Sequence, residues 1–109
     1  MKKALFIVIA LLSINLYAQV EKNAKKLTDE MTKVMDLSKE QSNQVYEFNI
    51  KRLKKMRSVR KENEGLSKEE LKKILQPIQK EFAMELRALV GQEKMKYWAE
   101  YRNDKKKNK

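Results

Sequence analysis

The sequence predicts an all-α protein with four helical segments. Its 109 residues include only two Gly and one Pro, and they are rich in Lys, Glu, Leu, Met and Gln, which all favour helices. No sustained alternation of apolar and polar residues indicates a strand. Apolar residues instead recur at spacings of three and four, which is the pattern of helices with one buried face.

The N-terminal stretch "MKKALFIVIALLSINLYAQ" predicts a secretory signal peptide. It has a basic start, an apolar run over residues 4–16 and a small residue, Ala18, before Gln19, the three parts of such a leader. An uncleaved anchor helix is the alternative, but 13 residues fall short of the roughly 20 that a membrane span needs. We therefore expect cleavage after Ala18 and a periplasmic protein.

Apolar stripes define the first two helices of the domain that we expect over residues 19–104. The first helix runs from about Glu21 to Asp36, and the second begins after Ser38 and ends near Glu62. The stripe residues are Ala24, Leu27, Met31, Val34 and Met35 in the first helix and Val45, Tyr46, Ile50, Leu53 and Met56 in the second. Phe48 is predicted to project away from the core, nearly opposite the second stripe.

The third helix, after Ser67, carries the most regular stripe of the chain. The stripe contains Leu71, Ile74, Leu75, Ile78, Phe82, Leu86 and Leu89. Pro77 interrupts the hydrogen bonding, but the apolar phase continues across it, which predicts one kinked helix. The fourth helix, about Gln92–Asn103, carries an aromatic cluster of Tyr97, Trp98 and Tyr101. This cluster either docks the helix on the core or forms a membrane-interface belt. Residues 105–109 are predicted to be a disordered basic tail.

Two helix starts share a repeated motif, "LSKEQ" at Leu37 and "LSKEE" at Leu66. In each copy a Ser is followed three residues later by Gln41 or Glu70, which predicts a capping box. The Leu before each cap is placed for a hydrophobic staple. Only the second copy has the apolar partner that the staple needs, Leu71, so only this staple is expected to be complete.

Composition argues against an enzyme. The chain has no His or Cys, so it lacks an imidazole base, a thiolate and the usual ligands of transition metals. The Gly residues are isolated, so no loop cradles a phosphate. We therefore expect no catalytic residue, no metal and no cofactor.

The net charge indicates anionic partners. The chain carries 26 basic and 15 acidic side chains, and without Lys2 and Lys3 of the leader the net charge is +9. Because an exported chain rarely meets nucleic acid, the expected partners are acidic protein segments or an anionic envelope surface. A domain this small, without a disulfide, gains from association, and we expect a homodimer.

The stretch "KRLKKMRSVRK", residues 51–61, holds seven basic residues and no acid. A solvated helix face is the plain interpretation of this run. The functional alternative is a surface that mixes cations with hydrocarbon and binds acidic and apolar segments of clients. The residues predicted to bind clients or partners are Phe48, Lys51, Arg52, Lys55, Met56, Arg57, Arg60 and Met84.

The stretch "LSKEQSNQVYEFNIKRLKKM" after an export signal resembles the Spy and CpxP family of small periplasmic stress proteins, whose mark is a Leu-Thr-x-x-Gln motif. Leu37, Ser38 and Gln41 match this motif with Ser for Thr, and Leu89 and Glu93 stand where the second motif is expected. The resemblance implies an elongated helical hairpin or cradle-like arrangement and, in the best known members, a cradle-shaped dimer that holds unfolded clients without ATP.

Two functional hypotheses follow. The first is an exported, ATP-independent holdase or envelope-stress binding protein that captures unfolded clients on a basic and apolar helical surface. The second is a structural or regulatory envelope module that binds one protein partner or an anionic membrane surface, through its charge, its Lys tail and its aromatic end.

Overall fold

The computed structural model describes residues 2–107, with the side chains of residues 17–107, and this part of the chain is helical apart from short connections. The predicted all-α fold is therefore confirmed. The helices are α1 (Lys2–Met35), α2 (Lys39–Glu62), α3 (Lys68–Val90) and α4 (Gln92–Lys107). The backbone of the predicted leader is continuous with the first predicted helix in α1, and the cleavage after Ala18 stays a prediction.

The four helices pack in a ring. Their backbones approach each other in four pairs, α1 with α2, α2 with α3, α3 with α4 and α4 with α1, and neither diagonal pair does so in the described residues. The chain measures 56 × 35 × 28 Å. A ring of four helices has an interior that all of them can line, while the hairpin or cradle-like arrangement stays a prediction.

The core consists of two clusters along α2. The main cluster brings together all four helices, and the second lies farther along, between α2 and α3. The buried members of the main cluster are Met31, Met35, Leu37, Val45, Phe48, Leu86, Val90 and Trp98. Those of the second are Met56, Val59 and Leu75. Burial of these side chains supplies the main favourable term in folding.

The two copies of the repeat cap their helices differently. At the start of α2 both bonds of the capping box are present, since Ser38 Oγ accepts from the Gln41 N–H at 3.1 Å and Gln41 Oε1 accepts from the Ser38 N–H at 3.2 Å. At the start of α3 only the bond from the Glu70 N–H to Ser67 Oγ is present. Both predicted helix starts are correct, but the reciprocal bond forms only once.

The Leu residues before the caps reverse the expected order of burial. Leu37 is buried in the main cluster, whereas Leu66, which was expected to complete its staple, is an exposed apolar side chain. The reason is tertiary: α4 lies against the connection between α1 and α2, where Lys94 Nζ donates to the Asp36 carbonyl at 3.0 Å.

Helix α3 continues across Pro77 without interruption, as the unbroken apolar phase predicted. Pro77 is exposed, so its ring lies away from the core. The bend at Pro77 stays a prediction.

The end of α4 differs from its predicted course. We expected the helix to end near Asn103 and a disordered tail from Lys105, but α4 is helical through Lys107, and the last two residues of the predicted tail lie outside the described residues. Tyr101 and Lys105, one turn apart, both donate to Glu30 Oε1 of α1. These bonds favour continuation of the helix because they hold its last turns against α1.

The bonds at Glu30 make part of the stability dependent on pH. The hydrogen bond from Lys105, and then that from Tyr101, lowers the pKa of Glu30. A lowered pKa stabilises the fold above the carboxyl's ordinary value of about 4.3, and this contribution is lost as the pH falls through the lowered value. In the Glu30→Gln variant the free energy of unfolding is expected to fall less between about pH 7 and pH 3 than in the parent protein, as measured by urea unfolding.

A matched control for Glu30 is Glu64→Gln. Glu64 is exposed and has no hydrogen bond or ion pair to a described side chain. Its substitution is expected to leave the pH dependence of stability close to that of the parent. If Glu30→Gln and the parent protein lost the same free energy of unfolding at low pH, the role given to Glu30 would be contradicted.

Candidate functional site

The structure divides the predicted binding residues between the outside and the inside of the molecule. Lys51, Lys55 and Arg60 are exposed on α2, and Met84 is exposed on α3 with 60% of its surface accessible. Arg52 and Arg57 are half-buried. Phe48 and Met56 are buried. The predicted set is therefore not one continuous surface.

The prediction that Phe48 projects away from the core is wrong. The side chain is only 5% exposed, and its ring meets the edge of Phe82 of α3 with centroids 5.8 Å apart. The stripe chosen from the sequence assumes one buried flank, but α2 packs against both α1 and α3 in the ring. A helix with neighbours on two flanks buries a wider face than one apolar stripe.

Met56 is buried as well. It lies on the inner stripe, as its spacing predicted, and it packs with Val59 and Leu75 in the second core cluster. Its burial gives no support to its assigned role in client binding, which stays a prediction. Of the three apolar residues assigned to the site, only Met84 reaches the surface.

The exposed basic residues of the run are four lysines and Arg60. Lys54, Lys55 and Lys61 are exposed and make no ion pair with a described side chain, while Lys51 pairs with Glu85 of α3. Lys54 and Lys61 are seven residues apart, so they lie on the same side of the helix. This outer lysine face, defined by Lys54, Lys55 and Lys61, presents positive charge to solvent.

The residues that resemble a family motif connect the first loop to the last helix. Gln41 Oε1 accepts from Lys94 Nζ of α4 at 2.9 Å in addition to its capping bond. Leu37 is buried below it. The matched residues therefore have a structural role here: they cap α2 and hold the start of α4.

The second motif position forms a helix junction. Leu89 packs against the main core cluster, and Glu93 is exposed, with Tyr97 donating to its carboxylate at 3.3 Å. Between them Gly91 ends α3 with φ +92°, a conformation that glycine adopts without strain. Gly91 therefore permits a direct turn from α3 into α4.

The four helices line a cavity of about 360 Å³ between them, and it opens to solvent at Gln79, Ala83 and Arg102, which are exposed. Eight of its twelve lining residues are apolar or aromatic, and the polar ones are Asn49, Arg52, Gln79 and Arg102. The apolar lining residues are Leu27, Met31, Phe48, Phe82, Ala83, Leu86, Met95 and Trp98. Pockets of small-molecule size have such volumes and such linings.

Two arginines meet at this cavity. Arg52 comes from α2 and Arg102 from α4, and neither forms an ion pair with a described side chain. Burial lowers the pKa of Arg52, and the charge of Arg102 lowers it further. Arg52 nonetheless stays protonated at neutral pH, because an arginine does not lose its proton in proteins.

A buried hydrogen-bond network fixes the cavity wall next to Arg52. Asn49 is only 1% exposed, and its Nδ2 donates to Thr28 Oγ1 of α1 at 2.9 Å. Thr28 Oγ1 in turn donates to the Ala24 carbonyl at 2.7 Å. A buried amide is tolerated because its polar group is paired, and the pairing sets the rotation of α2 against α1.

Sequence reasoning missed Asn49, Trp98 and Arg102 as members of one site. One signal was present, since Val45, Asn49, Arg52, Met56 and Val59 recur at spacings of four and three. That spacing places a cation on the buried stripe of α2. No sequence pattern connects Arg52 to Arg102, which is fifty residues farther along the chain.

The sequence pattern of a family described as a domain of unknown function, DUF4890, matches residues 15–109. The chain belongs to the DUF4890 family. No curated protein and no solved structure matches this DUF4890 chain. Within the described residues, no helix has both the length and the apolar character of a membrane span.

Proposed function

We propose that this DUF4890 protein is an exported, ATP-independent, chaperone-like binding protein that holds acidic segments of unfolded clients on its outer lysine face. The observation that supports this proposal is the exposure of Lys54, Lys55 and Lys61 without an ion pair to a described side chain. Among the described residues, Lys55 and Lys61 have no internal contact to break before they meet an external carboxylate, whereas Lys54 Nζ lies over the ring of Tyr17, 4.4 Å from its centroid.

In this mechanism the attraction between the lysines and acidic groups of the client brings the two molecules together. Complementary potentials speed association and select acidic partners, and salt weakens contacts between exposed charges. Because a single exposed ion pair contributes little, capture requires several acidic groups along one client segment. The expected client is therefore an unfolded chain with clustered Asp or Glu.

Apolar contact has a smaller part than the sequence suggested. With Phe48 and Met56 in the core, Met84 is the one assigned apolar residue that a client could reach. Capture by this protein is therefore expected to be more sensitive to salt than a hydrophobic holdase would be.

The export signal and the resemblance of "LSKEQ" to the motif of Spy and CpxP proteins support a place in the cell envelope. The family match begins at residue 15, so it leaves out most of the apolar run of the leader. A homodimer, expected from the small size of the domain, is part of the same proposal and would double the number of lysine faces.

An aggregation assay tests the proposal. The purified protein is added without nucleotide to a denatured acidic client and to a denatured basic client, at low and at high salt. Suppression is expected at near-stoichiometric ratio, stronger for the acidic client and weaker in salt. Reversal of the outer face by Lys54→Glu, Lys55→Glu and Lys61→Glu is expected to weaken the suppression at least about tenfold.

The matched control reverses three exposed lysines of α3, Lys72, Lys73 and Lys80. Both triple variants have the same net charge, so a difference between them reports position. Equal loss in the two variants would show that only net charge matters, and absence of suppression by the parent protein would overturn the proposed function.

A further inference from the structure

Arg52 occupies an unusual position for a charged side chain. It lies on the buried stripe of α2 between Asn49 and Met56, which are both buried, whereas Lys51, Lys54 and Lys55 on the same helix are exposed. A cation on a core stripe is costly unless it is paired. Among the described side chains Arg52 has no acidic partner.

The charged residue that accompanies Arg52 at the cavity is a second arginine. Arg102 of α4 lines the same cavity, and its charge acts against that of Arg52. No Asp or Glu is among the residues that line the cavity. An anion between the two guanidinium groups would relieve their repulsion, and a planar carboxylate fits the fork of an arginine with two parallel hydrogen bonds.

The rest of the cavity wall indicates which kind of anion fits. Around the two arginines the cavity is lined by rings and aliphatic side chains, among them Phe48, Phe82 and Trp98. A hydrated inorganic ion would leave this apolar wall uncovered, whereas an alkyl or aromatic body would cover it. The volume of about 360 Å³ suits a small molecule, not a folded partner.

We propose that this cavity binds a small amphiphile of the fatty-acid type, with its carboxylate between Arg52 and Arg102 and its apolar body against the aromatic wall. The proposal is independent of client capture, because the three lysines of the outer lysine face are exposed and do not line the cavity. It gives the DUF4890 protein a ligand site in its interior in addition to its charged surface.

Trp98 provides the measurement, since it is the single Trp of the chain and lines the cavity. Decanoate is titrated into the full chain while Trp98 fluorescence is recorded, and 1-decanol serves as the uncharged analogue. We expect saturable binding of one decanoate per chain, a rise in thermal stability with decanoate, and binding of decanol at least about tenfold weaker.

Single variants Arg52→Gln and Arg102→Gln are expected to weaken decanoate binding at least about tenfold each. Because each removes one of two like charges, both variants are expected to fold at least as well as the parent without ligand. The matched control, Lys54→Gln with Lys55→Gln, removes charge from the outside of the same helix and is expected to leave the affinity unchanged.

Three results would overturn the proposal: no saturable response to decanoate, equal affinity for decanol, or full affinity in folded variants that lack either arginine. The aggregation assay separates the two sites. Loss of client capture in the outer-face variant with unchanged decanoate binding would support both sites independently. Decanoate binding without client capture would uphold this cavity and reject the outer face.

Discussion

Phe48→Ala is expected to lower the free energy of unfolding by about 3–5 kcal/mol, as truncation of a buried Phe generally does. Phe48 is 5% exposed and makes an edge-to-face contact with Phe82 of α3. Truncation removes the buried apolar surface of the ring and leaves a space whose neighbours lose their packing contacts. It also removes the aromatic pair with Phe82, which contributes about 0.5–1.5 kcal/mol.

The measurement is urea unfolding followed by far-UV circular dichroism, with Met84→Ala as the control. Met84 was assigned to the same binding surface, but it is 60% exposed. Its truncation is expected to change the free energy of unfolding by no more than about 0.5 kcal/mol. If Phe48→Ala were as mild as Met84→Ala, the ring would lie on the surface and the original assignment to client binding would return.

The starts of α2 and α3 and the junction of α3 with α4 could be predicted because their causes are local. Ser38 and Ser67 cap their helices through bonds that span only three residues. Gly91 ends α3 at a backbone angle that its own residue type permits. Such signals act within one turn of helix, so the sequence displays them directly.

The buried face of α2 could not be predicted as well, because its causes are tertiary. Tyr46, Ile50 and Leu53 are more apolar than Asn49, yet they are only half-buried whereas Asn49 is buried. Asn49 is buried because Thr28, from another helix, accepts its hydrogen bond. Neither the ring arrangement nor this partner is visible in the spacing of apolar residues along one helix.

The basic run illustrates the same limit for function. Its seven basic residues look like one charged segment in the sequence, but the helical period turns them to different surroundings. Lysines on the outer face meet solvent, Lys51 meets Glu85, and Arg52 reaches the interior cavity. One stretch of chain therefore contributes residues to both of the proposed sites, which differ in their chemistry.

Trp98→Ala is expected to have an effect as large as that of Phe48→Ala, about 3–5 kcal/mol. Trp98 is the buried residue of α4, 8% exposed in the main cluster, and it stacks on Tyr101 with centroids 5.6 Å apart. Since it is the largest side chain that α4 buries, its loss is expected to release this helix from the ring before the rest unfolds.

The neighbouring residue is the control that separates the two roles considered for the aromatic cluster. Tyr97 is 47% exposed, and Tyr97→Ala is expected to change the stability by no more than about 0.5 kcal/mol. A membrane-interface belt would give another result: both variants would keep their stability, and both would adsorb less to anionic vesicles. Circular dichroism in urea and vesicle co-sedimentation therefore distinguish docking from a belt, and the burial of Trp98 beside an exposed Tyr97 favours docking.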